Sequence, residues 1–474
     1  MIDSKAKDYQ VWLFSAFVPI LVVLFAFILG TWSWGLMDDL TILNSGRNFL
    51  ERFSNYFSSL IPWGTFRPTF VFYTTFFYSL FESHPQWLYV FKLSWIVSML
   101  LIWANLAYRM TKNKLSFYLV PTVTLSFHYF YDAFFYLSTH EFLGLFFLGL
   151  ALQCFWSDYE KLKAGGRGHK GFFSWGILCL LLSLFSKETF VASGGAVAIA
   201  LWADAFKSRK EKFSQGLWLR GFLILFCSAG FAVLLKLLVQ GHYTSSYSFT
   251  NMPKIFSSLM IWFKKDFLNH LPWIMIGFFV FRKGLNDVKQ KRDCLPYILS
   301  LFLYLCYMGI LLPWNPVSYY ATPLGLFFSF IAAIWFADGL ASLSEKGKVF
   351  VVMGAFFLNL LVCCYALQRE MFYQYDTHNL SQWIEYNPAD FLESSTAPIY
   401  TNAMEAGLAI PGLINRRTGT NLRRFEYDPS ISVLDKAGKG YFLYAPRFGK
   451  IPDSVLKAYQ VKFYSKNWIL LENI

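Results

Sequence analysis

Residues 172–206 read FFSWGILCLLLSLFSKETFVASGGAVAIALWADAF, a long apolar stretch with the charged pair Lys187-Glu188 near its middle. A helix needs about 20 apolar residues to cross a bilayer core of about 30 Å. Because the lysine and the glutamate interrupt the stretch, we expect two spans, near 172–186 and 189–206, with a turn at the charged pair. The sequence therefore predicts a membrane-spanning helical hairpin.

The rest of the chain repeats this pattern. Of its 474 residues 56% are hydrophobic and only 15% are charged, too little charge to keep the surface of a soluble protein wetted. Long apolar blocks such as Val11–Gly30 and Val349–Leu367 lack the regular polar positions of a soluble amphipathic helix. We predict a mostly α-helical, polytopic transmembrane bundle of about eleven spans, near 11–30, 86–108, 115–131, 141–156, 172–186, 189–206, 217–239, 267–281, 295–312, 323–341 and 349–367.

Lysine and arginine predict the orientation of the bundle. They are concentrated in loops that fall on one side of these spans, namely Arg109–Lys114, Ser157–Lys170, Lys207–Gln215, Arg282–Asp293 and Ser344–Lys348. The positive-inside rule assigns these loops and the N-terminus to the cytoplasm and the C-terminal stretch to the outside of what we expect to be a bacterial inner membrane. The net charge of +13 is explained by these loops and does not indicate nucleic-acid binding.

Two segments differ from the simple spans. Residues 368–474 lose the long apolar runs, and the strand-like runs Pro398–Thr401, Tyr441–Tyr444, Val461–Tyr464 and Trp468–Leu471 predict a small α/β domain outside the membrane. We therefore divide the chain into a transmembrane domain, 1–367, and an extracytoplasmic domain, 368–474. The short aromatic segment Phe66–Phe81 is expected to be an interfacial or re-entrant helix, because a spanning helix there would violate the charge rule.

Two adjacent acids, Asp38 and Asp39, follow the first span in the first outer loop. Paired carboxylates at a membrane surface can deprotonate an incoming hydroxyl and orient it, or hold a divalent cation. The alternative is that they cap a following helix, Leu40–Phe53, since Asp is a favoured N-cap residue.

The turn at Lys187-Glu188 is a second candidate. Ionisable groups at the edge of an apolar stretch are usually functional or paired. In the functional interpretation, Lys187 neutralises a lipid phosphate while Glu188 orients it. In the structural alternative, the two neutralise each other within a tight helical hairpin.

Other polar residues are predicted on the same outer side. Arg67 precedes Pro68 and could bind phosphate through two N–H groups or anchor its segment at the interface. The remaining candidates could line a pocket for an acceptor or a headgroup, or simply make interfacial hydrogen bonds; they are Asp132, His140, Glu141, Tyr319 and Tyr320. Lys92 and Lys236, within spans, either snorkel towards water or add positive field near an anionic lipid.

Taken together, these motifs resemble the GT-C glycosyltransferases, the group that contains protein O-mannosyltransferases and lipid A aminoarabinose transferases. The resemblance is carried by the order and the common side of Asp38-Asp39, Arg67-Pro68, Ser186-Lys187-Glu188 and Tyr319-Tyr320. Ser318 differs from the family pattern, which often has a charged residue at that position.

The resemblance implies an inverting transfer of a sugar from a polyprenyl-phosphate donor to a lipid, glycan or protein acceptor on the outer face of the membrane. Asp38 would be the base, with Asp39 assisting. Arg67, Lys187 and Glu188 would bind the donor phosphate. Because the donor carries one phosphate, no cofactor is required, although Asp38 and Asp39 could hold a divalent metal.

Two alternatives from other classes remain open. A transporter or flippase of lipid-linked sugars would tolerate Asp38→Asn and would move its substrate across the bilayer. A non-catalytic envelope assembly protein would depend on residues 368–474 and would tolerate changes at Asp38 and Lys187.

Overall fold

The structure is a computed structural model. It describes residues 20–21, 23–24, 27–28, 42–43, 45–62, 65–81, 85–135, 139–165, 168–238, 257, 260, 295–311, 318–341, 343–387, 391, 399–402, 410, 426–427, 440–446 and 459–473.

Helices dominate the described residues. The main ones are α1 Phe49–Leu60, α2 Pro68–Leu80, α3 Pro85–Thr111, α4 Lys114–Thr124, α5 His128–Phe135, α6 Glu141–Lys163, α7 Lys170–Ser186, α8 Val191–Lys207, α9 Ser214–Leu238, α10 Leu295–Leu311, α11 Thr322–Ala341 and α12 Glu345–Tyr386. Single 3-10 turns at Glu188–Phe190 and Ser318–Ala321 precede α8 and α11.

Most of the predicted spans correspond to these helices. Five helical stretches are long and apolar enough to cross a membrane, namely Gln86–Thr111, Glu141–Lys163, Glu188–Lys207, Ser214–Leu238 and Lys346–Tyr386. Three shorter apolar helices, Lys170–Ser186, Leu295–Leu311 and Thr322–Ala337, match three further predicted spans. The predicted span 267–281 and most of 11–30 lie outside the described residues, so the total of about eleven stays a prediction.

One predicted span is divided. The sequence predicts one continuous helix over 115–131, but α4 ends at Thr124 and α5 begins at His128. Pro121 lies inside α4 and supplies no N–H donor to the helix ladder. The hydroxyls of Thr122 and Thr124 donate to the carbonyls of Tyr118 and Val120, both at 2.8 Å, and such back-bonds bend helices.

Small residues let the helices pack closely. Ser183 of α7 donates to the Gly144 carbonyl of α6 at 2.8 Å, and a Cβ atom at Gly144 would lie 2.1 Å from Cε2 of Phe190. Trp103 of α3 donates from its indole to the Leu145 carbonyl at 2.9 Å. These contacts place the start of α6 and the end of α7 beside the turn that precedes α8.

Helix α2 has 13 residues, so its length is about 20 Å, less than the bilayer core of about 30 Å. This length is compatible with the interfacial or re-entrant position predicted for Phe66–Phe81, which stays a prediction.

A five-stranded mixed sheet follows α12. Its strands are β1 Ile399–Thr401, β2 Glu426–Tyr427, β3 Tyr441–Tyr444, β4 Tyr459–Tyr464 and β5 Ile469–Asn473, in the order β2-β1-β3-β5-β4. β1 is parallel to β2 and β3, and β5 is antiparallel to β3 and β4. All four strand-like runs predicted from the sequence overlap strands, namely β1, β3, β4 and β5.

The sheet is attached to the end of α12. Asp376 accepts hydrogen bonds from the Asn467 backbone at 3.0 Å and from its side chain at 2.7 Å, and the Trp468 indole donates to Thr377 Oγ1 at 3.0 Å. Because α12 runs without interruption from Glu345 to Tyr386, the predicted domain boundary at Leu367 lies within a helix. The division into two domains stays a prediction.

Candidate functional site

Arg67 and Glu188 form the central ion pair of the site. The guanidinium donates from Nε to Glu188 Oε2 at 2.6 Å and from Nη2 to Oε1 at 2.5 Å. The side chains are 12% and 5% exposed. Two parallel N–H···O bonds fix the plane of a guanidinium, so Glu188 orients Arg67.

Lys187 and Glu141 form a second pair beside the first. The Lys187 ammonium donates to Glu141 Oε1, and the two side chains are 3% and 0% exposed. Glu141 Oε2 is buried and accepts no hydrogen bond from the described residues. A carboxylate with one unsatisfied buried oxygen has capacity for another donor, so this cluster could accept a hydrogen bond from a ligand.

His140 joins the two pairs. Its Nε2 lies 3.2 Å from Arg67 Nη1 and 3.7 Å from Glu141 Oε1. With the ring proton on Nδ1, Nε2 accepts from the guanidinium. The ring also contacts Phe70 with centroids 4.8 Å apart, so an apolar residue of α2 restrains it.

Helix ends place these side chains together. Arg67 is the N-cap of α2, directly before Pro68 in the first turn, where proline is favoured. His140 is the N-cap of α6, and Glu141 lies in its first turn, where the helix dipole stabilises a carboxylate. Lys187 ends α7 in an extended conformation, φ −157° and ψ 127°. The start of α2, the start of α6 and the end of α7 therefore contribute their charged side chains to one cluster.

Aromatic residues border the cluster. The Lys187 Nζ atom lies 3.8 Å from the centre of the Tyr320 ring, a cation–π contact with the turn before α11. Tyr307 of α10 is fully buried, and its hydroxyl lies 3.2 Å from Thr189 Oγ1. The turn before α11 therefore contacts Lys187, and α10 contacts Thr189, two residues further along the chain.

The environment of Lys187 disfavours the protonated form of its amine. Burial lowers the pKa of Lys187 to about 8; the Glu141 carboxylate opposes this shift and the Arg67 guanidinium adds to it. A second anion near the ammonium would favour its charged form.

The predicted site residues divide into three groups. The structure brings together Arg67, His140, Glu141, Lys187, Glu188 and Tyr320. Asp38, Asp39 and the side chain of Tyr319 lie outside the described residues. Asp132 is buried and pairs with Arg369 of α12, so it lies in a separate ion pair.

The two lysines predicted within spans have different environments. Lys92 is buried and donates to the Ala133 carbonyl at 2.6 Å and to Thr139 Oγ1 at 2.7 Å, so it ties the residue before His140 to α5. Lys236 is exposed in the last turn of α9, where the helix dipole favours a cation.

Sequence reasoning missed Arg369, Thr189 and Tyr307. Arg369 lies just past the predicted end of the last span and resembles an ordinary interfacial cation. Tyr307 lies within an apolar run, and no spacing connects it to Thr189. Only the tertiary packing reveals these partners.

Metal binding has no clear centre in the part of the chain that the structure describes. Among those residues, no group of three or more His, Cys, Asp or Glu side chains could hold a metal ion. The candidate ligands Asp38 and Asp39 are not among them.

Two solved structures resemble the chain along nearly its whole length. ArnT from Cupriavidus metallidurans bound to undecaprenyl phosphate has a TM-score of 0.54 and 12% identity, with 98% of each chain covered. The apo state of the same protein gives a TM-score of 0.55 and 12% identity, with 99% of this chain and 98% of that chain covered. No family model and no curated protein matches the sequence. At this identity the likeness establishes the fold: the chain has an ArnT-like fold, as the GT-C resemblance predicted.

Proposed function

We propose that this protein is an inverting glycosyltransferase that moves a sugar from a polyprenyl-phosphate donor to an acceptor at the outer face of the membrane. One observation carries the proposal: Arg67 and Lys187 meet in one buried cluster although Arg67 and its partner Glu188 are 121 residues apart in sequence. The ArnT-like fold supports it, because ArnT has been solved with undecaprenyl phosphate bound.

In this proposal the two cations bind the donor phosphate. Breakage of the sugar–phosphate bond leaves the phosphate with more negative charge in the transition state, and preorganised cations stabilise such charge. The stabilisation is larger where water is partly excluded, as it is around Lys187 and Arg67, whose side chains are 3% and 12% exposed. Glu188 holds the guanidinium in the orientation that phosphate requires.

Asp38 is proposed as the base, with Asp39 assisting it. The acceptor hydroxyl or amine attacks the anomeric carbon, the bond from that carbon to the phosphate oxygen breaks, and the acceptor proton passes to the aspartate. Attack opposite to the leaving group inverts the configuration. His140, Glu141 and the tyrosines Tyr319 and Tyr320 are proposed to line the headgroup and acceptor pocket.

The proposal requires no cofactor, because the donor carries one phosphate and the N–H groups of Arg67 and Lys187 can donate hydrogen bonds to it. It also assigns the N-terminus to the cytoplasm of a bacterium and the sheet to the periplasm, as the loop charges favour. The proposed acceptor is a hydroxyl or amine of a lipid, a glycan or a protein.

Sugar transfer by the purified protein tests the proposal. We expect the wild type to release undecaprenyl phosphate from one member of a panel of undecaprenyl-phosphate sugars when membrane extract supplies the acceptor. Asp38→Asn should bind the donor and fold normally but lose about 100-fold or more in turnover. Wild-type turnover in Asp38→Asn would reject the base assignment. Acceptor-independent movement of a labelled lipid-linked sugar across proteoliposomes, without release of undecaprenyl phosphate, would favour a flippase.

A further inference from the structure

Phenylalanine side chains form a continuous track on α1 and α2. Phe49, Phe53 and Phe57 are four residues apart on α1 and so lie on one helix face. Their ring centroids are 6.1 Å and 5.7 Å apart in succession. Phe72 and Phe76 form a parallel row on α2, with centroids 6.1 Å apart. The two rows meet where Phe49 contacts Phe72 at 5.6 Å and Phe76 at 5.9 Å.

The track ends beside the ion-pair cluster of Arg67, Glu188, Lys187 and Glu141. The Phe57 ring contacts the Phe66 ring at 5.6 Å, and Phe66 directly precedes Arg67. From Arg67 to Phe76 the chain advances nine residues along α2, about 13 Å. An apolar surface of that length therefore leads to the Arg67 guanidinium, whose side chain is 12% exposed.

The outer part of this track is open. Phe72 is 55% exposed and Phe76 is 42% exposed, while Phe53, Phe57 and Phe66 are half-buried. The opposite face of α1 carries Glu51 and Asn55, both exposed. A helix with one aromatic face and one polar face is typical of the membrane–water interface.

The arrangement of α1 on α2 is fixed from inside. The buried Arg52 side chain donates from Nε to the Leu43 carbonyl at 3.2 Å and to the Gly46 carbonyl at 2.8 Å, and from Nη1 to Ser79 Oγ at 3.1 Å. A buried arginine with these partners ties the start of α1 to the end of α2. The two rows of rings are therefore held in register before any ligand arrives.

We infer that this track binds the isoprenoid tail of the donor, with the phosphate at Arg67 and the first isoprene units against Phe66 and Phe57. The inference rests on the proposed function for the identity of the ligand. Continuity of the track with the N–H donors of Arg67 and Lys187 favours an apolar chain that ends in a hydrogen-bond-accepting anion. Aromatic rings offer large, rigid contact area at low conformational cost, which suits a long flexible chain that must be ordered.

Chain length tests this inference. Undecaprenyl phosphate reaches both rows, whereas geranyl phosphate is short and reaches only the end near Phe66. In nanodiscs, the double variant Phe72→Ser/Phe76→Ser should weaken binding of undecaprenyl phosphate by about tenfold, since each of the two rings is only partly covered by the tail, and should leave binding of geranyl phosphate unchanged. Because both rings are already exposed, the variant is expected to fold. Phe226→Ser, at a ring that is 75% exposed on α9, is the matched control.

Photo-crosslinking gives an independent readout. A benzoylphenylalanine at position 53 or 72 should crosslink to labelled undecaprenyl phosphate present as a minor component of phosphatidylcholine nanodiscs, and unlabelled undecaprenyl phosphate should suppress the product. The same probe at position 226 should crosslink to phosphatidylcholine.

Two outcomes would overturn the inference. If the Phe72/Phe76 variant binds both phosphates like the wild type, or if positions 53 and 72 crosslink mainly to phosphatidylcholine, the track is an ordinary bilayer-facing surface. Sugar transfer by the wild type, measured in the same nanodiscs, would be unaffected by that result. Conversely, a chain-length effect without transfer of any sugar would retain the tail site and reject the proposed function.

Discussion

Lys187 and Glu188 are adjacent in sequence, yet each is neutralised by a different segment of the chain. Lys187 pairs with Glu141 at the start of α6, and Glu188 pairs with Arg67 at the start of α2. The turn between α7 and α8 therefore joins two other helix starts, whereas a hairpin with an internal ion pair would join neither. Because each ion pair links two different segments, both partners of a pair can be replaced together. Such double variants separate the effect of a pair on stability from its effect on ligand binding.

The Arg67–Glu188 pair provides the first such test. Arg67→Gln leaves the Glu188 carboxylate buried without its partner, and we expect a loss of about 3–5 kcal/mol in stability. The double variant Arg67→Gln/Glu188→Gln removes both charges and should recover most of that stability. If Arg67 binds the donor phosphate, the double variant should still fail to bind undecaprenyl phosphate. Thermal unfolding and lipid binding should be measured on the same samples; binding that recovers together with stability would show a purely structural pair.

The pH dependence of turnover tests Lys187. Its pKa is lowered to about 8, chiefly by burial. The ammonium is charged below that pH and neutral above it, so a phosphate-binding role predicts that kcat/KM falls as the pH rises through about 8. Lys187→Arg keeps the charge at all accessible pH values, so any activity it retains should persist to higher pH. An unchanged alkaline limb in this variant would assign the titration to another group.

Chelation tests the need for a metal. The proposal assigns the binding of the phosphate to Arg67 and Lys187, so turnover should persist after treatment with EDTA and dialysis. Loss of activity that magnesium or manganese restores would contradict this expectation and would favour a cation held by Asp38 and Asp39. Donor binding measured with and without EDTA separates an effect on affinity from an effect on turnover.

The Asp132–Arg369 pair connects α5 to α12, with Asp132 buried and Arg369 46% exposed. Arg369→Gln leaves a buried carboxylate without this partner, so we expect a loss of stability larger than the 1 kcal/mol or so of a surface pair. Lys462→Gln is the control, because Lys462 and Glu472 are paired at the surface of the sheet with 31% and 32% exposure. Equal shifts in melting temperature for the two variants would argue against a structural role for Asp132.

Two helical glycines offer a steric comparison. Gly144→Ala would place a methyl group 2.1 Å from the Phe190 ring and should separate α6 from the turn before α8, with a destabilisation of about 1–3 kcal/mol. At Gly195, a Cβ atom would meet nothing within 4 Å, so Gly195→Ala should be neutral or stabilising. Because Gly144 lies one turn after His140, sugar transfer should fall only in the first variant.

Much of the helical architecture could be predicted because lipid requires long apolar segments, and these are visible in the sequence. The division of 115–131 could not, since it depends on Pro121 and on threonine hydroxyls that bond back to the helix. Sequence could also identify Lys187 and Glu188, because charges are costly in an apolar stretch. It could not identify their partners, since both Glu141 and Arg67 are distant in sequence, nor could it connect Asp132 with Arg369.

Helix α12 has a mechanical consequence. From Leu367 to Tyr386 it extends about 28 Å beyond the predicted end of the last span. Within this extension, Asp376 and Thr377 accept hydrogen bonds from the turn between β4 and β5. The length and the rotation of α12 therefore set the distance of the sheet from the bundle and its orientation about the helix axis. Any molecule that binds to the sheet would therefore face the bundle in one fixed orientation. One residue inserted between Leu367 and Asp376 would rotate the sheet about the helix axis by about 100°.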